Sequence, residues 1–230
     1  MRRGSSHAYE VLKKRIVAGV YPAGAQLKEE QLAEGLGMSR TPIRVALRRL
    51  VDEGLLTARE HRGVFVSGWT DWDIMEMYNL RVLLEPYAAG LAAERGEADL
   101  PEQLTEINER MLADSTSRSE ARVPRLQQAN REFHMRILEA ARSHRLKSMV
   151  ETMIDMPLIT RSFDLYLDED IIRSVQQHRD IVYAIAQRDS RLARDAMSLH
   201  LRVSFAQFMG RRDRFKRETG NVAEARIGRQ

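Results

Sequence analysis

Signals for extended structure in this 230-residue chain are confined to one short stretch. Leu55-Leu56-Thr57-Ala58 and Val64-Phe65-Val66-Ser67 read as two strands around a polar turn, Arg59 to Gly63. Upstream of them, apolar residues recur every three or four positions. A helix over 8–19 puts Ala8, Leu12, Ile16 and Val17 on one face and stops at Gly19, before the turn Tyr21-Pro22-Ala23-Gly24. A second, over about 28–36, groups Leu32, Ala33 and Leu36 and stops at Gly37. A third begins near Ser39, a good N-cap residue, and tolerates Pro42 in its first turn. It continues through Ile43, Ala46, Leu47, Leu50 and Val51 to Gly54. Three helices, a Gly-Met break between the second and third, and a hairpin predict a winged helix-turn-helix.

After Asp71 the strand signals vanish. Helical periodicity over 71–95, 101–118, 124–142, 144–155, 168–188 and 190–210 is divided by Gly96, Pro101, Pro124 and Pro157. The expected fold is therefore mostly α: a winged domain over 1–68 and an all-α bundle of six helices over 69–212. A seventh helix is added if 157–166 forms a short one. Residues 213–230 have no sustained apolar face and are expected to be a flexible tail.

Composition narrows the function classes. No run of about 18 apolar residues exists, which excludes a spanning helix and gives no reason to expect a membrane partner. Arg2 and Arg3 give the start of the chain positive charge, but no apolar stretch follows as in a signal peptide. The absence of cysteine excludes disulfides, zinc ribbons and thiol nucleophiles. A soluble cytoplasmic protein is the expectation. The net charge of +4 conceals a segregation, with +5 over residues 1–70, −5 over 71–209 and +4 over 210–230. A basic first third ahead of an acidic body suits an N-terminal module that binds a polyanion.

The third helix supplies the chemistry for that partner. Ile43, Ala46, Leu47 and Leu50 point inward, whereas Arg40, Thr41, Arg44 and Arg48 lie toward the other side. A DNA major groove admits one helix, and arginine offers a bidentate donor pair to guanine O6 and N7. Residues at the start of such a helix reach base edges, while hydroxyls and helix N-terminal amides hold phosphates. Ser39 and Thr41 suit the phosphate role, and Arg40 and Arg44 are the expected base readers. Arg62 and Gly63, on the wing, can approach the DNA backbone or minor groove.

In the all-α half, three histidines lie on or beside apolar stripes. His134 sits four residues after Asn130, among Leu126, Phe133, Ile137 and Ala141. His178 lies among Ile171, Val175, Val182 and Ile185, and His200 borders Leu192, Ala196, Leu199 and Val203. An i, i+4 pair shares one helix face and can chelate, and neutral imidazole is a common metal ligand. The same pattern fits three core histidines satisfied by hydrogen bonds, because periodicity alone does not bring them together.

The chain resembles a known family in both halves. Pro22-Ala23-Gly24, Leu32-Ala33, Ser39-Arg40-Thr41-Pro42-Ile43-Arg44, Glu53-Gly54-Leu55 and Arg62-Gly63-Val64-Phe65-Val66 are similar to the N-terminal domain of GntR-family transcription regulators. Val45 departs from the pattern, since many relatives have an acidic residue there. Leu80-Arg81, Leu84-Glu85, Asn130-Arg131-Glu132-Phe133-His134, His178, Asp189, Ala196 and His200 resemble the FCD effector domain of the FadR-like branch.

The resemblance implies a bundle holding a divalent metal through one Asp or Asn and three His, here Asn130, His134, His178 and His200. It also implies a small carboxylate effector, held with help from Arg81. Asn130 replaces the Asp of many relatives, so an all-neutral ligand set would leave the ion its full charge, lowering metal affinity and favouring an anionic ligand. Zn or Ni suits a histidine-rich site better than Mg or Ca.

The function so implied is a metabolite-responsive regulator, expected to be a repressor. It would bind an inverted-repeat, double-stranded operator as a homodimer, because two-fold symmetry in the protein calls for palindromic DNA. A rival reading, a metal-dependent enzyme acting on a small organic acid, draws on a three-histidine ion with an open position. It lacks a His-Glu-x-x-His motif and an obvious general base, although Glu132 and Glu139 are near in sequence, and it leaves the arginine helix unexplained. A nucleoid-like protein without a ligand leaves the inward histidines unexplained.

Overall fold

The computed structural model describes residues 2–68, 70–154 and 161–227. The chain divides into two compact units, Met1–Trp72 with Gly210–Gln230, and Asp73–Met209.

The first unit contains α1 (Arg2–Val17), β1 (Gln26–Leu27), α2 (Glu29–Leu36), α3 (Arg40–Asp52), β2 (Leu56–Arg59) and β3 (Gly63–Val66). The strands form an antiparallel sheet in the order β1-β3-β2. β1 was not expected, because two residues have no periodicity to read. It pairs Gln26 with Phe65 and Leu27 with Val64. The inward residues read from the pattern, Ala8, Leu12, Ile16 and Val17 on α1 and Ile43, Ala46, Leu47 and Leu50 on α3, are all buried. Tyr9 joins them, its hydroxyl donating to Glu53 at 2.7 Å and its ring lying 3.6 Å beneath the Arg49 guanidinium. Gly37 ends α2 in the left-handed conformation, and Ser39 is the extended residue from which α3 starts. At the wing, Gly63 has φ +92, and Gln26 Nε2 donates to the Arg62 carbonyl at 2.6 Å, tying the wing tip to β1.

The remaining elements are α4 (Asp71–Arg95), α5 (Leu100–Ser115), α6 (Arg122–Ala140), α7 (His144–Ile154), a 3-10 turn (Arg161–Asp164), α8 (Asp168–Ala186) and α9 (Ser190–Ile227). Part of the short helix considered over 157–166, and Pro157 itself, lie outside the described residues. Within the second unit the core includes Leu100, Leu104, Met111, Phe133, Ile137, Val175, Ile181 and Leu201. Instead of ending near 210, α9 continues to Ile227, so residues 213–227 are helical where a flexible tail was expected. Gly220 and Asn221 are poor helix formers and no apolar periodicity spans them, which is why the sequence pattern does not show this extension. In the first unit, the buried Arg212 pairs with Asp71 at 2.8 Å.

Gly96 ends α4 where a side chain has no room. A Cβ there would stand 2.6 Å from the Ala92 carbonyl oxygen and 2.5 Å from Leu100 Cδ2. The Arg188 guanidinium also donates to the Gly96 carbonyl at 2.7 Å. Gly96→Ala is expected to cost about 1–3 kcal/mol, the usual cost of overpacking, read as a lower urea midpoint at unchanged slope.

Candidate functional site

α6, α8 and α9 each contribute one buried histidine, and the fold brings the three together. Ring centroids lie 5.6 Å apart for His134 and His178, 5.3 Å for His134 and His200, and 4.6 Å for His178 and His200. One nitrogen from each lies within 4.8 Å of the others. Phe133 stacks flat on His178 at 3.9 Å and fixes its ring plane.

Each Nδ1 faces a side-chain oxygen. His134 Nδ1 donates to Glu85 Oε2 at 2.6 Å, His178 Nδ1 to Asn108 Oδ1 at 3.1 Å, and His200 Nδ1 to Gln177 Oε1 at a longer 3.4 Å. The Asn108 amide is oriented by its own donation from Nδ2 to the Val175 carbonyl at 2.9 Å, so its oxygen is the atom left for His178. His178 Nε2 then carries a lone pair, buried and without a hydrogen-bond partner. Unpaired buried polar atoms are rare and call for an explanation. Burial holds His178 and His200 well below the usual imidazole range, and neighbouring histidines reinforce the effect. A neutral imidazole with Nδ1 committed and Nε2 free, as in His178, is the state in which histidine ligates a metal. The triad can therefore hold a metal ion.

Beside His134 and His200 lies a cavity of about 30 Å³, lined also by Arg81, Asn130, Tyr78, Tyr166 and the serines Ser162, Ser174 and Ser204. Asn130 is half-buried, one helical turn before His134. Arg81 is buried and donates through Nε to Glu85 Oε1 at 2.5 Å, so Arg81, Glu85 and His134 form one chain. Burial raises the Glu85 carboxyl, but the Arg81 charge and the His134 ring outweigh it and hold it at about 2. Glu85 and Asn108 were not singled out as orienting groups. The i, i+4 spacing of Arg81 and Glu85 was a signal for one of them, whereas Asn108 lies on a different helix from His178 and left none.

In the first unit, Ser39, Arg40, Thr41, Arg44 and Arg48 are all exposed on α3, and Arg62 and Gly63 are exposed on the wing. The Ser39 side chain makes no capping hydrogen bond. Arg44 is gripped by both oxygens of Glu29, Nε to Oε1 at 2.9 Å and Nη2 to Oε2 at 2.8 Å. Arg40 is paired with Glu30. The hydrogen bond from Arg44 lowers the Glu29 carboxyl below its ordinary range. These two carboxylates, in the first turn of α2, were not anticipated as partners of the arginines.

Two family models match the chain. Residues 5–66 match the bacterial regulatory proteins of the gntR family, and residues 76–203 match the FCD domain. The chain is 29% identical over 195 residues to the HTH-type transcriptional regulator YdhC of Bacillus subtilis, covering 84% of this chain and 85% of that protein. It is 30% identical over 200 residues to the gluconate operon transcriptional repressor of the same organism, covering 84% and 79%. The fold is shared with E. coli McbR/YncC at a TM-score of 0.59 and 22% identity, over 89% of this chain and 96% of that one. No described helix is long and apolar enough to cross a membrane. With its gntR-type winged domain and its FCD domain, the chain belongs to the GntR family and is a metabolite-responsive, DNA-binding transcription regulator.

Proposed function

We propose that the protein is a cytoplasmic repressor that binds an inverted-repeat operator as a homodimer and responds to a small carboxylate at a metal centre. The observation that carries this reading is the buried histidine triad with an unpartnered Nε2, in the same chain as an exposed arginine helix. His134, His178 and His200 hold the ion, with the Asn130 amide oxygen as a fourth ligand. Zn or Ni matches the nitrogen-rich set. With no charged ligand the ion keeps its full charge, and Arg81 stands on the same cavity wall to receive an anionic group.

The cavity beside His134 and His200 gives the effector its place, and an effector that fits the DNA-free form better than the DNA-bound form shifts the balance between them. That difference in fit is what couples the ligand to DNA affinity. For the homodimer, Leu80, Leu83 and Tyr87 offer an exposed apolar face on α4. We assign the ion to ligand binding and not to turnover. Glu132 and Glu139, the acidic candidates for a general base, are engaged by Arg110 and Lys147, and Glu85 by Arg81 and His134.

DNA recognition is tested first. Arg44→Ala is expected to cost about 1–3 kcal/mol on an operator selected from random duplexes by the wild-type protein, and to relax base preference at one position per half-site. Unchanged affinity and selectivity would remove α3 from the reading. Adding Zn and a panel of small carboxylates to the operator complex then tests the response, read as release of the duplex.

A further inference from the structure

Val45 is the only large apolar residue so exposed among the described residues of 5–68, at 51%. It stands on α3 between Arg44 and Arg48 and one turn after Thr41, all exposed. At about 100° per residue, the buried residues Ile43, Ala46, Leu47 and Leu50 define one side of the helix, and Val45 falls close to the outermost line of the other. It is nearer that line than Arg44 or Arg40. A β-branched side chain there leaves half of its surface in solvent, and it interrupts the hydroxyl and guanidinium groups of Thr41, Arg44 and Arg48. The one apolar group that a major groove offers is the C5-methyl of thymine.

We propose that Val45 is a specificity-determining residue that packs its methyl groups on a thymine C5-methyl in each operator half-site. This rests on the reading of α3 as the base-contacting helix. Arg44, held by Glu29 beside it, addresses an adjacent position by hydrogen bonds, while Val45 recognises shape and apolar surface. The contact also excludes cytosine, which lacks the methyl, by leaving the valine against a bare edge and water.

The test removes the methyl and nothing else. A duplex enriched from a random library by full-length wild-type protein is resynthesised with each thymine replaced in turn by deoxyuridine. At one symmetry-related position, the replacement is expected to weaken wild-type binding about fourfold per half-site, the value of one buried methyl group. Val45→Ala should bind the thymine duplex correspondingly more weakly and lose sensitivity to the replacement, while Val45→Thr, which keeps one methyl, falls between. Circular dichroism confirms that the exposed substitutions leave the fold intact. If no deoxyuridine position distinguishes wild type from Val45→Ala, the proposal is wrong even though α3 still reads bases. If no sequence is enriched at all, the DNA reading and the proposal fall together.

Discussion

Replacement of His178 by alanine is expected to lower divalent-metal affinity by more than about 100-fold. Disturbing the groups behind a metal-bound histidine costs about 10–100-fold, and removing the ligand itself costs more. Asn108→Ala, which leaves all three histidines in place, should fall in that lower range, because Asn108 orients the His178 ring through Nδ1. Competition titrations with Zn and Ni against a chromophoric chelator provide the measurement. Wild-type stability supplies an independent one, since a metal present at 100 times its dissociation constant adds about 2.7 kcal/mol, and His178→Ala should lose that increment. Equal metal binding by wild type and His178→Ala would mean that the unpartnered Nε2 has another purpose.

Glu85→Ala is expected to be the most destabilising single change at the site, at about 3–5 kcal/mol. Glu85 is 2% exposed and accepts from both Arg81 and His134, so its removal leaves the Arg81 charge buried without a counterion. The double substitution Arg81→Met with Glu85→Leu should recover part of the loss, because an apolar pair has no charge to desolvate while His134 Nδ1 still lacks its acceptor. Urea unfolding of the wild type and the two variants separates the cases. A single-variant loss below about 1 kcal/mol would show that water reaches Arg81 and takes the place of the carboxylate.

The sequence resolved some levels of this structure better than others. Long periodic segments such as α6 and α8 were legible because each buries one stripe, and their ends were displaced by only a few residues. β1 was hidden because it exists only through pairing with β3, a tertiary event. The end of α9 was hidden because Gly220 and Asn221 read against a helix and no apolar face continues past them. At the site, the three histidines were visible as polar interruptions of apolar stripes, but their convergence depends on how three helices cross. Asn108 was invisible for the same reason, lying 70 residues before His178. The arginines of α3 were legible as a face, yet their pairing with Glu29 and Glu30 requires the angle between α2 and α3, which no spacing within either helix encodes.

If Arg44 reads a base as proposed, the grip of Glu29 on it bears on how that arginine discriminates. A free arginine would donate to any acceptor edge within reach, correct or not. One already satisfied by a bidentate carboxylate has an internal competitor, and only a guanine presenting both acceptors in the right plane matches what it would give up. A poorer edge leaves the guanidinium at home. Selectivity would then come from the alternative the protein itself supplies, at the expense of some absolute affinity.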